Sequence, residues 1–193
     1  MRKILTLLFT LSLCVTAVAQ NANYQKAVAR YKNHQVTATA VKTTHRAAVS
    51  KDQVTRGTLT MRQPAEVGIV MEGGQDALLM RGSEFTMTQK GKKHTTSSKS
   101  NPQFATFQAV FESILSGGAK DISRLSDLTM RQNGDQLVLT ITPQATDKKS
   151  LKRMMFTSFV LTINTRTSQL QSLRMNEKAG NYTEYTFSNF QFK

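Results

Sequence analysis

The chain has 193 residues, a formal net charge of +14 and a single cysteine, Cys14. This length accommodates one domain with a sizeable hydrophobic core. One cysteine excludes an internal disulfide and any metal site built from several cysteines.

The first twenty residues, MRKILTLLFTLSLCVTAVAQ, have the pattern of a secretory signal peptide. A basic start precedes the apolar run Ile4–Val15, and small residues follow at Ala17 and Ala19. We expect residues 1–20 to be removed, leaving a soluble exported chain, because no later stretch has the roughly 20 apolar residues of a membrane span. The run ending at Cys14 resembles the box at which bacterial lipoproteins are cut and acylated only loosely, so acylation there is the weaker alternative.

The positive charge does not indicate a nucleic-acid partner, because we expect the protein to be exported. The signal carries two basic residues and no acidic one, so the mature chain keeps +12 of the +14. The basic residues are scattered, and the densest cluster, Lys90 to His94, has the composition of a hairpin tip. We interpret this cluster as a solvated turn, with transient contact to an acidic surface as the alternative.

The first half of the mature chain predicts one short helix followed by strands. The segment YQKAVARY, Tyr24 to Tyr31, has apolar residues at helical spacing. Alternating apolar residues then predict strands separated by the turns EGGQD and KGKK, with Pro64 in a link or at a strand edge. These strands are Gln35–Val41, Thr58–Met61, Val67–Met71, Ala77–Met80 and Glu84–Thr88.

A helix then interrupts the strands. Asn101 and Pro102 suit a helix start, and Gly117 with Gly118 suits its end. Between them, one apolar helix face carries Phe104, Phe107, Phe111, Ile114 and Leu115. A shorter helix is predicted over Lys120–Ser126, and the remaining strands over Leu128–Arg131, Gln136–Thr142, Met154–Asn164, Gln169–Asn176 and Asn181–Phe192.

These elements predict a mainly β (α+β) fold in a single domain, residues 21–193. Roughly ten short strands follow one another without the alternation of strands and helices that a parallel sheet requires. We therefore expect one strongly curved antiparallel sheet that forms an incomplete β-barrel, with an N-terminal helix and an inserted helical lid.

The residues that could take part in catalysis or metal binding form no recognisable sequence motif. The three histidines, His34, His45 and His94, are far apart and lack metal-ligand spacing. The acidic residues Glu66, Glu72 and Asp76 flank a turn, and the chain has neither a nucleophile elbow nor a phosphate-binding loop. We expect no enzyme, no metal and no cofactor.

Apolar side chains share faces along the predicted strands. If these faces turn inward, they form an aliphatic and thioether-rich concave surface under the Phe-rich helix. Periodicity leaves two alternatives open, an interior filled by its own side chains or a cavity for an acyl chain. The residues concerned are Leu59, Met61, Ile69, Met71, Leu78, Met80, Phe85, Met87, Leu137, Leu139, Ile141, Phe159, Leu161 and Ile163.

The chain resembles the LolA-like outer-membrane lipoprotein carriers of Gram-negative bacteria. Three stretches carry the likeness: GTLTMRQPAEVGIVM, ALLMRGSEFTMTQ and NEKAGNYTEYTFSNFQF. The resemblance implies a monomeric periplasmic carrier whose partners are acylated lipoproteins or other lipids, an inner-membrane transporter that releases them and an outer-membrane acceptor. It also implies that the apolar faces line an acyl cavity and that the face from Phe104 to Leu115 is its lid.

Two departures from the family pattern concern the lid and the cavity aromatics. The family commonly follows its Arg-Pro link with an arginine that helps to hold the lid shut, whereas Arg62-Gln63-Pro64 is followed by neither arginine nor tryptophan. The chain contains no tryptophan at all. A lipid- or protein-binding sensor module of the same half-barrel fold is therefore the alternative to a lipoprotein carrier.

Overall fold

The computed structural model describes residues 20–145, 152 and 154–193, so residues 1–19 of the predicted signal peptide lie outside the described residues. Residues 20–28 form helix α1, which continues as a 3-10 turn over Ala29–Tyr31. Helix α2 spans Ala105–Leu115 and follows a second 3-10 turn, Pro102–Phe104. The strands are β1 Val36–His45, β2 Gln53–Arg62, β3 Glu66–Met71, β4 Ala77–Arg81, β5 Glu84–Gln89, β6 Lys92–Ser97, β7 Leu128–Asn133, β8 Gln136–Ile141, β9 Phe156–Asn164, β10 Gln169–Glu177 and β11 Tyr182–Phe192.

All eleven strands belong to one antiparallel sheet in the order β6-β5-β4-β3-β2-β1-β11-β10-β9-β8-β7. Strand β1 pairs with β2 on one side and with the last strand, β11, on the other, and so joins the two halves of the sheet. Strands β6 and β7 are the two edges, so the sheet is not closed into a barrel. The predicted fold, a mainly β protein with one open antiparallel sheet and two helices, is confirmed.

The sheet curls around α2. Phe104, just before this helix, packs against Phe85 of β5 with ring centroids 4.8 Å apart and against Phe159 of β9 at 6.0 Å. Strands β5 and β9 lie in opposite halves of the sheet. One side chain can contact both only if the halves curve towards each other, so α2 lies on the concave face.

Helix α1 covers one end of the half-barrel, where α2 also ends. The Tyr31 hydroxyl accepts a hydrogen bond of 2.8 Å from the amide of Leu170 at the start of β10. Gly117, which follows α2, has a φ of +68°, and a Cβ on it would lie 2.7 Å from the Cβ of Lys32. Glycine is therefore required here both for the left-handed helix end and for the close approach of the chain after α1.

The structure corrects two details of the predicted elements. The predicted helix over Lys120–Ser126 is wrong, because the segment forms turns. The Asp121 carboxylate accepts hydrogen bonds from the amide and hydroxyl of Ser123, at 2.9 and 2.7 Å, and such a local turn competes with helix. The segment read as the turn KGKK also begins a strand, β6, whose polar sequence KKHTTS has no apolar alternation because it forms an exposed edge.

Candidate functional site

The concave face of the sheet carries the apolar side chains that the sequence pattern placed together. All of them belong to or pack against one hydrophobic cluster, and all except Met87 are buried. Met87 of β5 is half-buried because it lies at the open end of the half-barrel. The buried members are Leu59, Met61, Ile69, Met71, Leu78, Met80, Phe85, Leu137, Leu139, Ile141, Phe159, Leu161 and Ile163.

A chain of aromatic rings fastens α2 to both halves of the sheet. The Phe107 ring lies 4.9 Å from that of Phe159 and 5.7 Å from that of Phe85, and it also contacts Phe111 at 4.8 Å. Phe104 extends the cluster towards Phe156. Aromatic pairs at these distances add to the stabilisation from burial, so α2 is held over the concave face by its apolar side. The predicted face of this helix, Phe104, Phe107, Phe111, Ile114 and Leu115, is buried throughout.

The described interior is packed against α2. Leu59, Ile114 and Leu139 are 0% exposed, so no water-sized space adjoins them. An acyl chain could enter this region only if α2 moved away or if neighbouring side chains changed rotamer. Methionine suits the second route, because its unbranched thioether adapts to irregular space.

The end of the half-barrel opposite α1 has an apolar opening. A pocket of about 90 Å³ there is lined mainly by Leu78, Phe85, Met87, Phe104 and Met155. Met155, immediately before β9, is 54% exposed. The sequence pattern did not single out Met155, because the alternation that marks a strand face begins only after it. This opening lies beside the N-terminal end of α2, where an apolar ligand could first contact the protein.

Ion pairs lie beside the apolar opening. Lys42 continues the inward-facing positions of β1 and is buried, and its Nζ binds Asp76 Oδ2 at 2.6 Å. Partial burial alone would raise the pKa of Asp76, but the hydrogen bonds from Lys42 and from the Lys90 amide outweigh it and lower that pKa. Arg46 pairs with Glu177 at 3.1 Å. The even spacing of Lys42 from Ala38 and Ala40 was the sequence signal that could have placed it inside.

A hydrogen bond from Gln63 fastens the C-terminal end of α2. The Gln63 side-chain amide, in the link between β2 and β3, donates to the carbonyl of Leu115 at 2.7 Å. Leu115 ends α2, where carbonyl groups lack partners within the helix. Gln63 therefore provides a contact between the sheet and the helical cover in the segment where the sequence has no family-type arginine.

The histidines considered for catalysis or metal binding do not lie together in one site. His34 contacts its neighbouring carbonyl at Lys32, His45 pairs with Asp52 at 2.7 Å, and His94 lies in the edge strand β6. In the described part of the chain, no three His, Cys, Asp or Glu side chains could hold a metal ion together. The described side chains form an apolar opening, and the charged residues Lys42, Arg46 and Glu177 line the pocket next to it.

The described residues form an open antiparallel half-barrel with an apolar concave face and a helical cover. These three features define the structural class of the protein. The family model described as "Outer membrane lipoprotein carrier protein LolA" matches residues 32–193. The chain belongs to this family, and the resemblance seen in the three sequence stretches is confirmed. Within the described residues, neither helix has the length and hydropathy needed to cross a membrane.

Solved structures of similar proteins come from several bacteria. A LolA superfamily protein from Nitrosomonas europaea is 11% identical, with 89% of this chain and 92% of that chain covered and a TM-score of 0.39. The lipoprotein LppX of Mycobacterium tuberculosis is 13% identical, with coverages of 89% and 94% and a TM-score of 0.41. A chain of the MucA/MucB complex of Pseudomonas aeruginosa is 14% identical, with coverages of 90% and 57% and a TM-score of 0.40. No curated protein matches the chain.

Proposed function

We propose that the protein is a periplasmic carrier that binds the acyl chains of lipoproteins and shuttles them from the inner to the outer membrane. The apolar concave face under α2 is the observation that carries this proposal, and membership of the carrier family supports it. The signal pattern of residues 1–20 supports export. An inner-membrane transporter would deliver the cargo, and an outer-membrane acceptor would receive it.

The proposed acyl site is the set of inward side chains on β2 to β5, β8 and β9, and α2 is its lid. Each methylene moved from water into such a site contributes about 0.8 kcal/mol, so ten carbons contribute roughly 8 kcal/mol before ordering costs. The exchange is passive and needs no catalytic group or cofactor. Release requires a competing apolar site on the acceptor and a lid that can move.

The test is to purify the protein from a periplasm and look for acylated ligands by native mass spectrometry and lipid extraction. Met87→Gln places an amide at the half-buried opening and should lower the amount of bound lipid. Thr86→Gln is the matched control, because Thr86 points to the other side of the same strand and contacts Thr95 on β6. It should leave lipid content unchanged.

A chain that never carries acylated ligands, and that takes none up from detergent-solubilised lipoprotein, would overturn the carrier proposal. The sensor module would then be the better description. Equal lipid loss in both variants would contradict the placement of the ligand at the Met87 opening.

A further inference from the structure

Three neighbouring pockets at the open end are linked by lining residues that they share, and we name the three together the rim groove. The first is the apolar pocket between Phe85, Phe104 and Met155. The second, also about 90 Å³, shares Met87 and Met155 with the first. The third, of about 170 Å³, shares Arg46 and Gln89 with the second. A ligand along the rim groove would therefore contact all three pockets in sequence.

The chemistry of the rim groove changes from one end to the other. The first pocket is walled mainly by aliphatic and aromatic side chains. The second combines Met175 and Tyr185 with the cations Lys42 and Arg46 and the carboxylate Glu177. The third adds Lys51 and Lys90 to Arg46, and no carboxylate is among its described lining residues.

The carboxylates near the basic end are already engaged by other groups. Asp52 binds His45 at 2.7 Å, and Glu177 binds Arg46 at 3.1 Å. Asp76 binds Lys42, and its other oxygen accepts the backbone amide of Lys90 at 2.9 Å. The four cations Lys42, Arg46, Lys51 and Lys90 exceed the three carboxylates by one charge, and the third pocket is lined by three of these cations and no carboxylate among its described lining residues, which complements an anion.

We infer that the rim groove binds an anionic amphiphile, with its acyl chain at the Met87 end and its phosphate or carboxylate group at Arg46, Lys51 and Lys90. This inference rests on the proposed function, because the acyl chain would continue from the first pocket among the buried side chains under α2, which must move to admit it. It adds a second class of cargo, lipids with an anionic head group, because the acyl anchor of a lipoprotein carries neither phosphate nor carboxylate. A neutral lipid with the same chain would fill only the apolar part of the groove.

Two probes that differ only in a phosphate test this inference. Myristoyl lysophosphatidic acid and monomyristoylglycerol have the same chain and glycerol, and each is titrated below its micelle concentration against displacement of N-phenyl-1-naphthylamine. The anionic probe should bind at least about tenfold more tightly, which is the contribution of one or more hydrogen bonds to charged groups. The difference should shrink in about 0.5 M NaCl, because salt screens exposed charges.

Variants that remove positive charges test which residues produce the preference for the anionic probe. Lys51→Gln with Lys90→Gln should remove most of the preference for the anionic probe and leave affinity for the neutral probe unchanged. The matched control is Lys26→Gln with Lys99→Gln, which removes two exposed charges from residues outside the groove and should keep the preference. Inorganic phosphate alone should compete only weakly, since it lacks the acyl chain.

The outcomes separate this inference from the carrier proposal. Equal binding of both probes would overturn the head-group inference and leave acyl binding intact. Failure of both probes to bind would contradict the proposed function itself. Competition by inorganic phosphate as strong as that of the anionic probe would mean a free phosphate site and would also overturn the inference. Loss of the preference in the control pair would place it elsewhere on the surface.

Discussion

Gln63→Ala should weaken the hold on α2 and strengthen ligand binding at the same time. The substitution removes the 2.7 Å hydrogen bond to the Leu115 carbonyl. An unsatisfied buried carbonyl costs about 1–3 kcal/mol, and the low end applies because Gln63 itself is exposed and water can reach the site. One kcal/mol is about a fivefold change in the equilibrium between the covered and the open arrangement.

The interior beneath α2 is filled in the described structure, so, on the carrier proposal, the arrangement in which α2 has moved away admits an acyl chain more readily than the covered one. Apparent affinity scales with the fraction of molecules that are open. Gln63→Ala should therefore lower the apparent Kd for a myristoyl probe about fivefold, while the melting temperature falls by about 2–4 °C. Hydrogen exchange of residues 105–115, followed by mass spectrometry, should accelerate about fivefold.

Ser113→Ala is the matched control for this prediction. Ser113 is 0% exposed, and its hydroxyl donates to the carbonyl of Lys120 at 2.6 Å, within the segment that contains α2. Its loss should also lower the melting temperature, but it releases no contact with the sheet, so the apparent Kd should stay constant. If Gln63→Ala lowers stability without changing the Kd, the hydrogen bond is merely structural and the reasoning about the lid is refuted.

Three other substitutions test the packing and charges of the fold. Phe107→Ala should destabilise the protein by about 3–5 kcal/mol in a urea titration, because the ring is buried between both halves of the sheet; a loss under 1 kcal/mol would contradict that placement. Gly57→Ala should cost about 1–3 kcal/mol, since a Cβ would lie 2.2 Å from the Val70 carbonyl oxygen, and unchanged stability would show that the strands can separate there. The pKa of Asp76 is lowered in the folded protein, so its carboxylate stabilises the fold above the unfolded pKa, and this stabilisation is lost as the pH falls through the folded pKa. Asp76→Asn should therefore reduce the loss of unfolding free energy at acid pH. An unchanged pH dependence would refute the pairing with Lys42.

The strands and the hairpins that join them could be predicted because local patterns determine them. Alternating residues such as Leu59 and Met61 identify the buried face of each strand, and short turns join successive strands as hairpins. The spacing of Phe104, Phe107 and Phe111 identifies one helix face in the same way. The pairing of β1 with β11 was not visible in these patterns, because it joins segments at opposite ends of the chain.

The polar parts of the site could not be predicted for a related reason. Gln63 binds a helix end about fifty residues later, a contact that depends on the curvature of the whole sheet. Lys42 would be expected at the surface because it is a lysine, yet its position on the buried face of β1 places it opposite Asp76. The rim groove is likewise formed by segments from both halves of the chain, and no local pattern brings Arg46 near Met155.

The two walls of the interior differ in their ability to adapt to a ligand. Inward positions on β2 to β4 carry the buried methionines Met61, Met71 and Met80, whereas β8 and β9 present leucine, isoleucine and phenylalanine there, and β10 carries the one buried methionine of that half, Met175. Branched and aromatic side chains specify one packing, while methionine can change rotamer at small cost. On the carrier proposal, an acyl chain entering beneath α2 would therefore displace the methionines of β2 to β4 more easily than the side chains of β8 and β9. On the carrier proposal, the filled interior of the described structure is compatible with lipid binding because three of its four buried methionines lie together on β2 to β4.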